Sequence, residues 1–207
     1  MASPDGSLRL ADYKRKLDSR ALDVIAITDH DTISFATQAR QELGERIIIG
    51  EEMSAIEGEL IGLYLQKPVL PGLPARDTAV AIRAQGGLVY VPHPFETVRK
   101  GLPLAVLDSI ANMVDIIEVH NGRALFQNRG RRARSWAAIH HVAMAASSDA
   151  HGAHGWGNTY STITAMPTRV TLVRLLQGAT LRTGYVGARG ILYPKFNRLR
   201  KRDYDVA

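Results

Sequence analysis

Five times along this chain a short run of β-branched and other apolar residues ends abruptly in a histidine or a carboxylate, and that repetition limits the folds open to it. Leu22 to Ile27 runs into Thr28-Asp29-His30-Asp31, Ile47 to Ile49 into Gly50-Glu51-Glu52, and Leu88 to Val91 into Pro92-His93-Pro94. Ile116 to Val119 ends at His120-Asn121, and Val142 to Ala146 ends at Ser147-Ser148-Asp149-Ala150-His151. Short apolar runs of this kind mark buried parallel strands. Helical patterns lie between them: Ile33 to Leu43 closed by Gly44, Val80 to Ala84 before Gly86-Gly87, a segment near Pro103 to Asn112, and Ala124 to His141. Strands alternating with helices predict an α/β chain. In barrels and open sheets of that class the carboxyl ends of the strands carry the chemistry. His30, Glu52, His93, His120 and the Asp149/His151 pair are therefore expected to converge on one face. Asp149 and His151, two apart on an extended backbone, point to the same side.

Imidazoles beside carboxylates are metal ligands in their simplest arrangement. The chain has no cysteine, which excludes both a disulfide framework and a thiolate site. Any metal must be held by nitrogen and oxygen, a donor set that suits zinc, manganese or iron. Each residue taken singly has a plainer reading: Asp31 or Thr32 caps the next helix, and His120 faces solvent from a loop. Five strands ending alike favour a shared metal centre.

With 207 residues the chain can build one large domain, and nothing in it reads as an inter-domain linker. No apolar run nears the roughly 20 residues that span a bilayer. Met1 to Ser7 lacks the apolar core of a signal peptide, so the expectation is a cytoplasmic chain with no membrane association. The formal charge of +6 is concentrated in Arg129 to Arg134 and in a tail from Lys195 to Arg202. That tail could attract nucleic acid, but a solvated terminal helix is the favoured reading.

Ser3-Pro4-Asp5-Gly6 reads as a turn and Ser7 as the N-cap of a helix through Leu8, Leu10, Tyr13 and Leu17. A chain that opens on a loop and a helix lacks the strand expected before them, which suggests truncation. Glu57-Gly58 turns into an apolar strand, Glu59 to Leu65. His93, fixed between two prolines, is held rigidly. Gly152, Gly155 and Gly157 predict a mobile loop, Thr159 to Thr164 a strand, and Thr168 the cap of a helix through Leu172 and Leu176.

Ser3-Pro-Asp-Gly-Ser7, Ile27-Thr-Asp-His-Asp31, Gly50-Glu-Glu-Met-Ser54, Val91-Pro-His-Pro-Phe95, Ile117-Glu-Val-His-Asn-Gly-Arg123 and Ser147-Ser-Asp-Ala-His151 resemble a known set of ordered motifs. They are similar to those of the polymerase and histidinol phosphatase (PHP) superfamily of metal-dependent phosphoesterases. The resemblance runs from Ser3 to about Gly157. It implies a distorted (β/α)7 barrel, here expected without its first strand and its His-x-His motif, and a cluster of two or three divalent metals at the strand ends. Residues 1–165 would form the barrel, and residues 166–207 a C-terminal helix and basic tail packed on the same domain. Asp5, His30 and His151 resemble the ligands of one outer metal and Glu52 the glutamate that bridges two. His93 resembles a ligand on the far side of that bridge, and Asp149 a ligand of the metal nearest the opening motif. Glu59 stands where many members carry a histidine ligand. Asn121 and Arg123 lie where a phosphate could be held, and a guanidinium fork matches phosphate oxygens.

The implied reaction is hydrolysis of a phosphoester in a small phosphorylated substrate. Bridged cations would acidify water, Arg123 would neutralise phosphoryl charge, and His120, free of metal, would protonate the leaving oxygen. Two other readings stay open. One is a degenerate module that binds phosphate or nucleic acid without turnover; the other is a related metal-dependent hydrolase acting on amides.

Overall fold

The computed structural model of the chain describes residues 5–124 and 129–204. The turn expected at Ser3-Pro4 and the apolar pair Leu125 and Phe126 lie outside the described residues, as do the side chains of Arg198, Arg200, Lys201 and Arg202 in the basic tail. The elements are α1 (Leu10–Asp18), β1 (Ile25–Ile27), α2 (Ser34–Leu43), β2 (Ile47–Ser54), β3 (Glu59–Leu63), α3 (Ala75–Ala84), β4 (Leu88–Val91) and α4 (Leu104–Ser109). They continue with β5 (Ile116–Asn121), α5 (Gly130–His140), β6 (Ala143–Ser147), β7 (Tyr160–Thr162), α6 (Leu172–Gln177), β8 (Thr180–Arg182) and α7 (Gly187–Tyr204).

Strands β1 to β6 form one sheet in sequence order, and β7 pairs with β8 in a second, two-stranded one. β1 and β2 are parallel, β3 is antiparallel to both β2 and β4, and β4, β5 and β6 are parallel. Every strand but β3 therefore delivers its carboxyl end to the same side. The sheet wraps a cavity of about 640 Å³ that is lined at one edge by Val24 to Thr28 and at the other by Ala145 to Ser148. Among the described residues it is an open, mixed half-barrel of six strands, with β3 running against both of its neighbours. β1 and β6 are its two edges.

Alternation along the strands sorts the side chains. Val89, Val91, Ile117 and Val119 face outward and pack with Ile82 of α3, Leu107 of α4 and Trp136 of α5. Ile25, Ile27 and Ile47 pack with Tyr13 and Leu17 of α1 and with Ala36 and Ala39 of α2. The inward set Ile48, Ile61, Leu63, Tyr90, Ile116 and Ala145 is joined by Leu172 and Leu176 of α6, which plug one end of the half-barrel. Each of these large side chains contributes about 1.5–3 kcal/mol through burial. The same alternation carries Glu52 inward, in phase with Ile48, and sends Glu51 into the outer layer. Among the described residues no helix is long and apolar enough to cross a membrane.

Candidate metal centre

His30 lies just past β1, where a bridge to Glu52 continues the parallel ladder. The register is held by Glu52 N–H donating to the Asp29 carbonyl and Asp31 N–H donating to the Glu52 carbonyl, each at 3.1 Å. Asp31 does not cap a helix. Its carboxylate accepts the Ser54 N–H at 2.9 Å, which ties the loop after β1 to the end of β2. Ser7 is no N-cap either: its N–H and hydroxyl both donate to the His151 carbonyl at 3.0 Å, and Arg9 occupies the cap position of α1.

Two candidate ligands sit in backbone conformations that non-glycine residues rarely adopt, His93 with φ of 28° and Asp149 with φ of 50°. Strained residues of this kind cluster at functional sites. His93 is held there by its N–H, which donates to Glu118 Oε2 at 2.7 Å.

Three imidazoles aim their Nε2 atoms at carboxylates. His30 Nε2 lies 3.8 Å from Asp5 Oδ2 and 4.0 Å from Glu52 Oε2, and His151 Nε2 lies 3.6 Å from Asp5 Oδ2. His93 Nε2 lies 3.1 Å from Glu52 Oε1 and 3.5 Å from Glu59 Oε2. Asp5, His30 and His151 form one group with ligand atoms all within 4.8 Å, and His30, Glu52 and Glu59 form another. Donors about 2.0–2.2 Å from one tetrahedral ion stand roughly 3.3–3.6 Å apart. Several of these separations exceed hydrogen-bond length and come close to that spacing, so the donor set fits divalent ions. His151 Nδ1 lies 3.0 Å from the Asp149 carbonyl and 3.2 Å from Arg123 Nη1; the tautomer that donates to the carbonyl leaves Nε2 free to bind a cation.

Burial opposes charge on His93, but the Glu52 carboxylate outweighs it and pushes the imidazole up to about 9. His30 is raised as well, with burial again opposed by Glu52 and Asp5. Burial raises the Glu59 carboxyl, and neighbouring Glu52 adds to the rise. Asp149 behaves in the opposite way. Burial favours its neutral form, but Arg123, His151 and Arg99 hold it well below the usual carboxylate range.

Arg99 was not visible as a site residue in the sequence. Its guanidinium grips both oxygens of Glu96 at 2.7 Å and reaches Asp149 Oδ2 at 2.6 Å and Asn121 Oδ1 at 2.7 Å. It lies on the irregular loop after β4, where no periodicity marks it. Arg123 Nη1 approaches the same Asp149 carboxylate at 3.3 Å. Asn121 Oδ1 accepts the Arg123 N–H at 2.9 Å, and Asn121 Nδ2 donates to Glu118 Oε2 at 2.9 Å. Glu118 also accepts from Tyr90 at 3.2 Å and from the Ser147 hydroxyl. Its inward phase with Ile116 was the signal that could have found it.

Asp5, His30, Glu52, Glu59, His93, Asp149, His151, Asn121 and Arg123 thus meet at one end of the half-barrel; His120 does not. A bulge between Glu118 and His120 shifts the pairing of β5 with β6 and turns Asn121, rather than His120, toward the cavity. His120 Nε2 lies 3.1 Å from the Gly184 carbonyl and its ring packs edge-on against Tyr185.

No protein-family model matches the sequence. An uncharacterised protein of Methanocaldococcus jannaschii is 32% identical over 112 residues, covering 53% of this chain and 66% of that protein. A two-domain protein of Bacteroides vulgatus, described as containing a predicted PHP-like metal-dependent phosphoesterase, superposes with a TM-score of 0.70 at 17% identity over 94% of this chain. This chain spans 66% of that structure's length as well. An amidohydrolase of Chromobacterium violaceum, solved with bound sulfate and no metal, gives a TM-score of 0.58 at 16% identity, covering 86% of this chain and 94% of that one. The chain has the fold of the PHP-like metal-dependent phosphoesterases.

Proposed function

We propose that this chain hydrolyses phosphoesters of small phosphorylated substrates with the help of two or three divalent ions. The observation that carries the reading is the convergence of three imidazole Nε2 atoms on the carboxylates of Asp5, Glu52 and Glu59, beside two guanidinium groups. Asp5, His30 and His151 would hold one ion; Glu52 would bridge toward a second held with Glu59 and His93; Asp149 would contribute on the side of Asp5. Divalent ions held there supply Lewis acidity, which acidifies water near neutral pH and offsets charge on a phosphoryl group.

The protein's own contribution is positioning. Glu118 and Asn121 fix the loop that presents Arg123, and Glu96 aims Arg99. Both guanidinium groups border the ligand cluster. Arg99 is committed to Glu96, Asn121 and Asp149 and braces that edge. Arg123, whose Nε makes no hydrogen bond among the described residues, is the fork that would match the oxygens of a phosphoryl group and stabilise the negative charge that builds on it during transfer. A guanidinium beside the cluster favours an anionic substrate over a neutral amide.

The test is release of phosphate from an aryl phosphoester by protein loaded with manganese or zinc. Glu52→Ala and Asp149→Ala are each expected to abolish it. Turnover that survives both substitutions refutes the assignment, and metal and phosphate binding without turnover supports the degenerate module instead.

A further inference from the structure

The glycine-rich segment after His151 and the C-terminal helix α7 are not explained by the ligand cluster itself. The segment is packed rather than loose. A Cβ on Gly152 would stand 2.8 Å from the Tyr193 ring, one on Gly155 would stand 2.2 Å from Val186 Cα, and one on Gly190 would stand 3.1 Å from the His154 carbonyl. The helix and its approach lie directly on this loop because the side chains that would separate them are missing.

Asn197 projects from α7 into that contact and is 7% exposed. Its Nδ2 donates to the Asp5 carbonyl at 2.6 Å and to the His151 carbonyl at 3.0 Å. Both acceptors belong to residues whose side chains meet His30 in the outer group of candidate ligands. A primary amide has two N–H groups, and here each is directed at one of the two chain segments that must be brought together. Ser7 adds its own two bonds to the His151 carbonyl, so the Asp5 turn and the His151 loop are joined from both sides.

We propose that α7 clamps this half of the metal centre, with Asn197 as the positioning residue that sets the spacing of Asp5 and His151. The inference rests on the metal-centre reading above. Asn197→Leu keeps the volume and removes both donors, whereas Asn197→Asp sets carboxylate oxygens against two carbonyls. Wild type and both variants are dialysed against cobalt(II), and bound metal and the visible cobalt spectrum are recorded. Amide hydrogen exchange is followed on the chelated proteins.

The expected result is at least a tenfold weaker outer ion in both variants with the second ion retained. In the chelated state the Ser7 amide is expected to exchange at least tenfold faster while α7 stays protected. Wild-type cobalt binding and Ser7 protection in both variants overturn the clamp and leave the metal-centre reading standing. Faster Ser7 exchange in the variants of a protein that binds no cobalt keeps the clamp and sinks the metal-centre reading. Loss of protection along the whole of α7 assigns Asn197 to packing alone and overturns the inference.

Discussion

Replacing Glu52 by glutamine keeps its shape and removes its charge, which isolates the shortest imidazole–carboxylate contact of the cluster. His93 Nε2 lies 3.1 Å from Glu52 Oε1, and the imidazole is pushed up from 6.5 to about 9 although burial opposes its charge. At about 1.4 kcal/mol per pH unit, that rise makes the protonated pair worth roughly 3 kcal/mol to the folded state. The folded-state value lies above the unfolded one, so this stability is fully present below pH 6.5 and is lost as the pH rises through about 9. In Glu52→Gln the imidazole stays buried and keeps Glu59, at 3.5 Å, and the charge of Glu118 as acidic neighbours. Its pKa is expected to fall and the pH dependence to flatten. The assay is urea unfolding with chelator between pH 5.5 and 10, read as the difference between the two proteins, with the imidazole followed by NMR. A wild-type stability that is level from pH 6.5 to 9, or an equal slope in the variant, refutes the reasoning.

Other outcomes follow from the same geometry. Because the His93 imidazole is pushed up to about 9, metal uptake at pH 7 must displace a proton; calorimetry in buffers of different ionisation enthalpy should show net proton release that falls toward zero above pH 9. Arg123→Ala removes the guanidinium that borders Asp149 with its Nε unpartnered, and inorganic phosphate should bind metal-loaded protein at least tenfold more weakly with metal stoichiometry unchanged. Gly50→Val would bring a Cβ within 2.8 Å of Thr28 Cγ2 and 3.0 Å of the Gly62 carbonyl, so a thermal melt should show a loss of about 1–3 kcal/mol.

Much of this site could be read from the sequence because its signals are local. A β-branched run followed at once by Asp-His-Asp or Pro-His-Pro encodes both a strand and the side chain at its end. Period-two alternation from Ile48 is enough to send Glu52 inward. Glu57-Gly58 likewise marked the turn from β2 into β3 that brings Glu59 back beside Glu52. What alternation could not supply was the bulge in β5. Counting from Glu118 places His120 inside and Asn121 outside, and only the pairing with β6 reverses them.

The sequence by itself therefore determined which residue types end the strands, and with them the α/β class and the nitrogen-and-oxygen donor set. Tertiary structure decided which of those side chains meet. It also brought in partners that carry no local signal, among them Arg99 through Glu96 and Asn197 through two carbonyls far away in the chain. The physical reason is range: strand and turn preferences are set by neighbours a few residues apart, whereas a buried polar group takes whichever distant donor or acceptor the packed fold places beside it.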